Sequence, residues 1–142
     1  MINDFPDLSG IRILLVDDDA DTRELITFVL EQCQAEVMAV MSAQAGFAAI
    51  AQNSPDLLIS DISMPDEDGY SLMRRIRAYE VEQGRQQIPA IALTAFARDE
   101  DQRAAFAVGF QQYFAKPINP FDLVTMITVL VKTPEAAEQS IE

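Results

Sequence analysis

Leu57-Leu58-Ile59-Ser60-Asp61-Ile62-Ser63-Met64-Pro65 is the stretch on which the fold turns. Its first half is an almost unbroken apolar run, the mark of a strand covered on both faces in a parallel sheet. The run ends on a carboxylate, and Met64-Pro65 then forces extended backbone. Asp68-Gly69 opens a helical pattern through Tyr70, Leu72, Met73, Ile76 and Tyr79. Three other short runs end in the same manner. Ile11 to Val16 runs into Asp17-Asp18, Ile91-Ala92-Leu93 into Thr94, and Tyr113-Phe114-Ala115 into Lys116-Pro117.

Strands alternating with longer helical patterns are the signature of βαβ units. Strands are expected near Ile11–Val16, Glu36–Val40, Asp56–Ser60, Pro89–Leu93 and Gln112–Ala115. Helices are expected from Ala20 to Gln32, from Ala43 to Gln52 behind a Ser42 cap, from Gly69, from Arg98 to Val108, and from Asn119-Pro120 onward. Gly46 inside the second helix predicts a less regular element there. With right-handed crossovers, five such units give a flavodoxin-like α/β fold, a doubly wound five-stranded parallel sheet of order 2-1-3-4-5. The domain is expected over 11–132, preceded by a lead-in over 1–10 and followed by a mobile acidic tail over 133–142.

The chain has 142 residues, 49% hydrophobic and 23% charged, with 5 Gly and 7 Pro, which suits one globular domain. Ten basic residues stand against 23 acidic ones, a formal charge of −13. That balance disfavours nucleic acid and anionic membrane surfaces as partners, since both need a basic face. No apolar run approaches the length that spans a bilayer. The N-terminus lacks the basic start and apolar core of a signal peptide, so a cytoplasmic protein is expected. The single cysteine, Cys33, falls on the apolar side of the first helix and reads as an inert core thiol. There is no histidine, so any phosphohistidine must come from another molecule or segment.

In the expected topology the carboxyl ends of the strands share one edge, where ligands bind in open α/β sheets. Asp17, Asp18 and Asp61 would meet there, with Thr94 and Lys116 beside them. Crowded carboxylates call for a shared proton or a cation. Mg²⁺, a hard ion with oxygen ligands, suits the set, with Mn²⁺ as the alternative. A backbone carbonyl from the Ile62-Ser63 turn would complete the protein ligands. A carboxylate can also serve as nucleophile and form an acyl phosphate, and Asp61 is the most central. Lys116 would add a compact positive charge and Thr94 a hydroxyl donor. Taken singly, each has a plainer reading: Asp17-Asp18-Asp19 as a solvated turn, Lys116 as a surface lysine, Thr94 as a β-branched strand end. It is their joint placement on strand ends that argues for chemistry.

With these motifs together, the chain resembles the receiver domain of two-component response regulators. The residues that carry the resemblance are Leu15-Val16-Asp17-Asp18, Ile59 to Pro65 with Asp68-Gly69, Leu93-Thr94-Ala95, and Lys116-Pro117. The resemblance implies that Asp61 is the phosphoacceptor. It implies that Asp17, Asp18, Asp61 and the Ser63 carbonyl hold Mg²⁺, and that Lys116 and Thr94 bind the phosphoryl oxygens. Thr94 and Tyr113 would then form the switch pair. Ser63 and Phe96 would border the path of the hydrolytic water, and bulky Phe96 predicts slow autodephosphorylation. The implied donor is a histidine kinase or a histidine phosphotransfer protein, and the domain accepts a phosphoryl group rather than turning over as an enzyme. The lead-in Phe5-Pro6-Asp7-Leu8-Ser9-Gly10 is similar to the linker before receivers in hybrid kinases. The alternative is a phosphohydrolase of the haloacid dehalogenase type, with Asp17 as nucleophile. In that reading Asp61 to Pro65 would have no role.

Overall fold

The structure, a computed structural model, describes residues 5–95 and 98–141, and over 132–141 it describes the helical backbone alone. The elements are β1 (Arg12–Val16), α1 (Ala20–Gln32), β2 (Glu36–Val40), α2 (Ala43–Gln52), β3 (Leu57–Asp61), α3 (Gly69–Gln83), β4 (Ala90–Thr94), α4 (Asp99–Val108), β5 (Gln112–Ala115) and α5 (Pro120–Ile141). The strands form one parallel sheet in the order β2-β1-β3-β4-β5, as the sequence predicts.

Period-two alternation divides the strand side chains between two helical layers. Leu14, Val16, Leu58, Ala90 and Ala92 face α2, α3 and α4, where Ile50, Leu72, Met73, Ile76 and Ala105 complete one core. Ile13, Leu15, Leu57, Ile59, Ile91 and Leu93 face α1 and α5, where Ile26, Leu30, Leu123, Val124 and Ile127 complete the other. Every residue of β3 and β4 is buried, which accounts for their unbroken apolar sequence.

Several local expectations are corrected. Gly46 does not loosen α2, which is continuous and capped by the Ser42 hydroxyl accepting from the Ala45 N–H. A Cβ at position 46 would lie 2.8 Å from Val16 Cγ2, so the glycine is there to let α2 sit close on β1. β3 and β4 each start and end one residue later than expected, which places Asp61 and Thr94 inside the strands. The lead-in is part of the folded body: Leu8 is fully buried, its N–H donates to the Cys33 carbonyl at 2.7 Å, and Phe5 stacks on Phe121. Cys33 is buried at the C-terminal end of α1, as expected. α5 runs to Ile141 and so includes 133–141.

One buried ion pair was not foreseen. Glu80 on α3 receives Arg77 Nη1 at 2.9 Å and the Ile88 N–H at 2.9 Å, and Arg77 Nη2 donates to the Gly109 carbonyl at 2.7 Å. The pair ties the end of α3 to the start of β4 and the end of α4. It thereby fixes the strand that carries Thr94.

Candidate functional site

Backbone hydrogen bonds carry the ladder one residue beyond the strands and so aim the side chains at the carboxyl edge. The Asp17 N–H donates to the Val40 carbonyl at 3.1 Å, the Ile62 N–H to Leu93 at 2.9 Å, and the Lys116 N–H to Thr94 at 2.7 Å. Gly69 closes the loop after β3: its N–H donates to the Ile62 carbonyl at 2.8 Å, and a Cβ there would collide with the Asp61 carbonyl oxygen.

At this edge Asp17, Asp18 and Asp61 each offer a carboxylate oxygen, all within 4.8 Å of one another. Asp17 and Asp61 are buried and Asp18 is exposed. Lys116 Nζ lies 3.0 Å from Asp17 Oδ2 and 3.5 Å from Asp61 Oδ2, bridging the two buried carboxylates. Asp17 Oδ1 accepts the Asp19 N–H at 2.9 Å, and Asp61 Oδ1 accepts the Ser63 N–H at 3.3 Å. Arg23 Nη1 donates to the Asp17 carbonyl at 2.7 Å, a contact the sequence reading did not include.

The electrostatics follow from this crowding. Burial, and then the charge of Asp17, push the Asp61 carboxyl up to about 7, with Lys116 pulling the other way. Burial works against the charge of Lys116, but the contacts with Asp17 and Asp61 outweigh it and leave the ammonium above its usual range.

Thr94 is buried, one residue beyond the Leu93 that pairs with Asp61. Its side chain is hydrogen-bonded to the Tyr113 hydroxyl, and burial followed by the charge of Asp101 raises that phenol above its usual range. The structure thus joins the two switch candidates directly. Phe96 lies outside the described residues.

The cluster fits a hard divalent cation. Asp17 Oδ2 is buried and receives no well-aligned hydrogen bond even with Lys116 at ion-pair distance, so an acceptor is left over. Three carboxylates against one ammonium give the oxygen-rich, net negative setting that Mg²⁺ prefers.

Residues 13–128 match the family model of the response regulator receiver domain. The chain is 42% identical over 120 residues to an uncharacterized 14.6 kDa protein of Leptolyngbya boryana, a match covering 84% of this chain and 89% of that one. It is 35% identical over 116 residues to the sensor protein GacS of Pseudomonas syringae, covering 82% of this chain but only 13% of GacS. Among solved structures, a putative response regulator from Chloroflexus aurantiacus superposes with a TM-score of 0.78 at 32% identity, covering 86% of this chain and 98% of that one.

Proposed function

Because the chain belongs to the response regulator receiver domain family, and is thus a receiver of two-component or phosphorelay signalling, we propose that Asp61 is the residue that accepts the phosphoryl group. The observation that carries this is the Lys116 ammonium held between buried Asp17 and Asp61 at the carboxyl edge. In the transfer, an Asp61 carboxylate oxygen attacks the phosphorus of a partner's phosphohistidine. The O–P bond forms, the P–N bond breaks and the imidazole leaves. The donor is a histidine kinase or a histidine phosphotransfer protein, a reading supported by the likeness to a sensor protein. Asp17, Asp18, Asp61 and the Ser63 carbonyl would hold Mg²⁺, with Mn²⁺ able to replace it. The bound ion supplies positive charge that keeps Asp61 ionised and neutralises the phosphoryl oxygens.

Asp61 must be ionised to attack, and Lys116 favours that form from 3.5 Å away. Once the acyl phosphate exists, Lys116 pairs with a phosphoryl oxygen. The Thr94 hydroxyl donates to another, giving up its bond to Tyr113. The released Tyr113 then takes a new position on β5. This local charge change biases a two-state element and alters the protein-binding surface around it. By the family resemblance Ser63 and Phe96 are the residues that tune hydrolysis, and a slow autodephosphorylation is expected. The haloacid dehalogenase alternative gains no support. The family match is to receivers.

The test is site location. The protein is incubated with phosphoramidate, a P–N donor, and Mg²⁺, then reduced with borohydride and mapped by peptide mass spectrometry. Homoserine at position 61 is expected, and reduction at position 17 would overturn the assignment.

A further inference from the structure

Asp18 is the exposed member of the acid cluster, yet its carboxylate stays within 4.8 Å of oxygens from Asp17 and Asp61. Repulsion among three carboxylates should drive the exposed one outward into water. It is held by a side-chain hydrogen bond with Asp61, which the peptide joining Asp17 to Asp18 makes reachable by setting the direction in which Asp18 leaves the backbone. The residue preceding that peptide is tethered at each of its polar ends. The Asp17 N–H donates to Val40 at 3.1 Å, Oδ1 accepts from the Asp19 N–H at 2.9 Å, and the carbonyl accepts from Arg23 Nη1 at 2.7 Å. Among the described residues, the Arg23 bond is the one that grips the Asp17–Asp18 peptide group itself.

The placement of Arg23 points the same way. It lies near the N-terminal end of α1, where the helix dipole disfavours a cation, and its side chain is only partly exposed as it reaches back to the loop. Resting on the reading of the cluster as a cation and phosphoryl site, we propose that Arg23 is a positioning residue for that site. Its guanidinium fixes the Asp17–Asp18 peptide and so holds the Asp18 carboxylate in the ligand set.

The sign of one effect separates this role from a simple charge. As a bare positive charge beside the cluster, Arg23 repels a divalent cation, and removing it would tighten Mg²⁺ binding. As a positioning residue it preorganises the ligands, and removing it loosens binding by about tenfold, the low end for outer partners of metal ligands.

The experiment is Mg²⁺ titration by isothermal calorimetry on wild type, R23M and R23K, with the thermal midpoint in metal-free buffer recorded for each. Met keeps the apolar stem and loses the donor, and Lys keeps one donor. The expected result is a Kd raised about tenfold in R23M and restored to within about threefold in R23K. Phosphoryl uptake by R23M from acetyl phosphate should approach the wild-type rate at saturating Mg²⁺. A Kd in R23M equal to or below wild type overturns the positioning role while the Asp61 reading stands. A Kd raised equally in both variants overturns it too, since the donor would not be what matters. Failure of wild type to bind Mg²⁺ overturns both readings.

Discussion

Replacing Asp61 with Asn removes a charge that the fold disfavours, and the consequence for stability depends on pH in a definite direction. Asp61 titrates near 3.8 unfolded and at about 7 in the native state, chiefly through burial and then through Asp17. Between those values the native state holds a proton that the unfolded state has lost. The contribution of Asp61 to stability therefore falls as pH rises from about 4 to about 7, and the full cost persists above. At roughly 1.4 kcal/mol per unit the displacement corresponds to at most about 4 kcal/mol. Screening by water at the open edge, where Lys116 is partly exposed, reduces this to about 2 kcal/mol. Asp61→Asn should thus be more stable than wild type by about 2 kcal/mol at pH 8, and nearly equal to it at pH 4. Urea unfolding in metal-free buffer at both pH values measures the difference. Greater stability of wild type at pH 8 would refute the reasoning, because it would show that the Lys116 contact outweighs burial and the repulsion from Asp17. Added Mg²⁺ should favour wild type, since the variant loses a charged ligand.

Gly69→Ala drives a methyl group into the Asp61 carbonyl oxygen, so both stability and phosphoryl uptake should fall, by about 1–3 kcal/mol for the former in a denaturation curve. Glu80→Ala leaves the Arg77 guanidinium buried without its partner and should cost about 3–5 kcal/mol, read from the unfolding midpoint in urea. Phe96→Ala replaces a bulky apolar side chain with a small one at a position expected to tune hydrolysis and should shorten the phosphoryl half-life several-fold, followed by intact mass after donor removal. An unchanged half-life would remove Phe96 from that role.

The fold was legible because its strands carry two signals at once. The unbroken runs at Leu57–Ser60 and Ile91–Leu93 mark central strands, and the residues that end them carry the chemistry. The clustering of Asp17, Asp18 and Asp61 followed from topology, since strand order makes the carboxyl ends of β1 and β3 neighbours, whereas Lys116 follows β5 and reaches them by the length of its side chain. What escaped the sequence was set by distance in three dimensions. Gly46 reads as a helix weakener until Val16 is seen against it. Nothing local marks Glu80 and Arg77 as a buried pair, because the Ile88 N–H and the Gly109 carbonyl that make burial tolerable come from other parts of the chain. Leu8 lies in a lead-in with no periodicity, and both the core it joins and the Cys33 carbonyl its N–H meets are distant in sequence. Arg23 carries a weak signal, an arginine on the first turns of a helix that begins just after three aspartates.

The role proposed for Asp61 is to accept a phosphoryl group with the help of a divalent cation. Its most direct test is the intact mass of wild type and Asp61→Asn after incubation with acetyl phosphate, with and without Mg²⁺. A gain of one phosphoryl group that requires Mg²⁺ and is lost in the variant is expected. No gain in wild type, or a gain that survives Asp61→Asn, would contradict it.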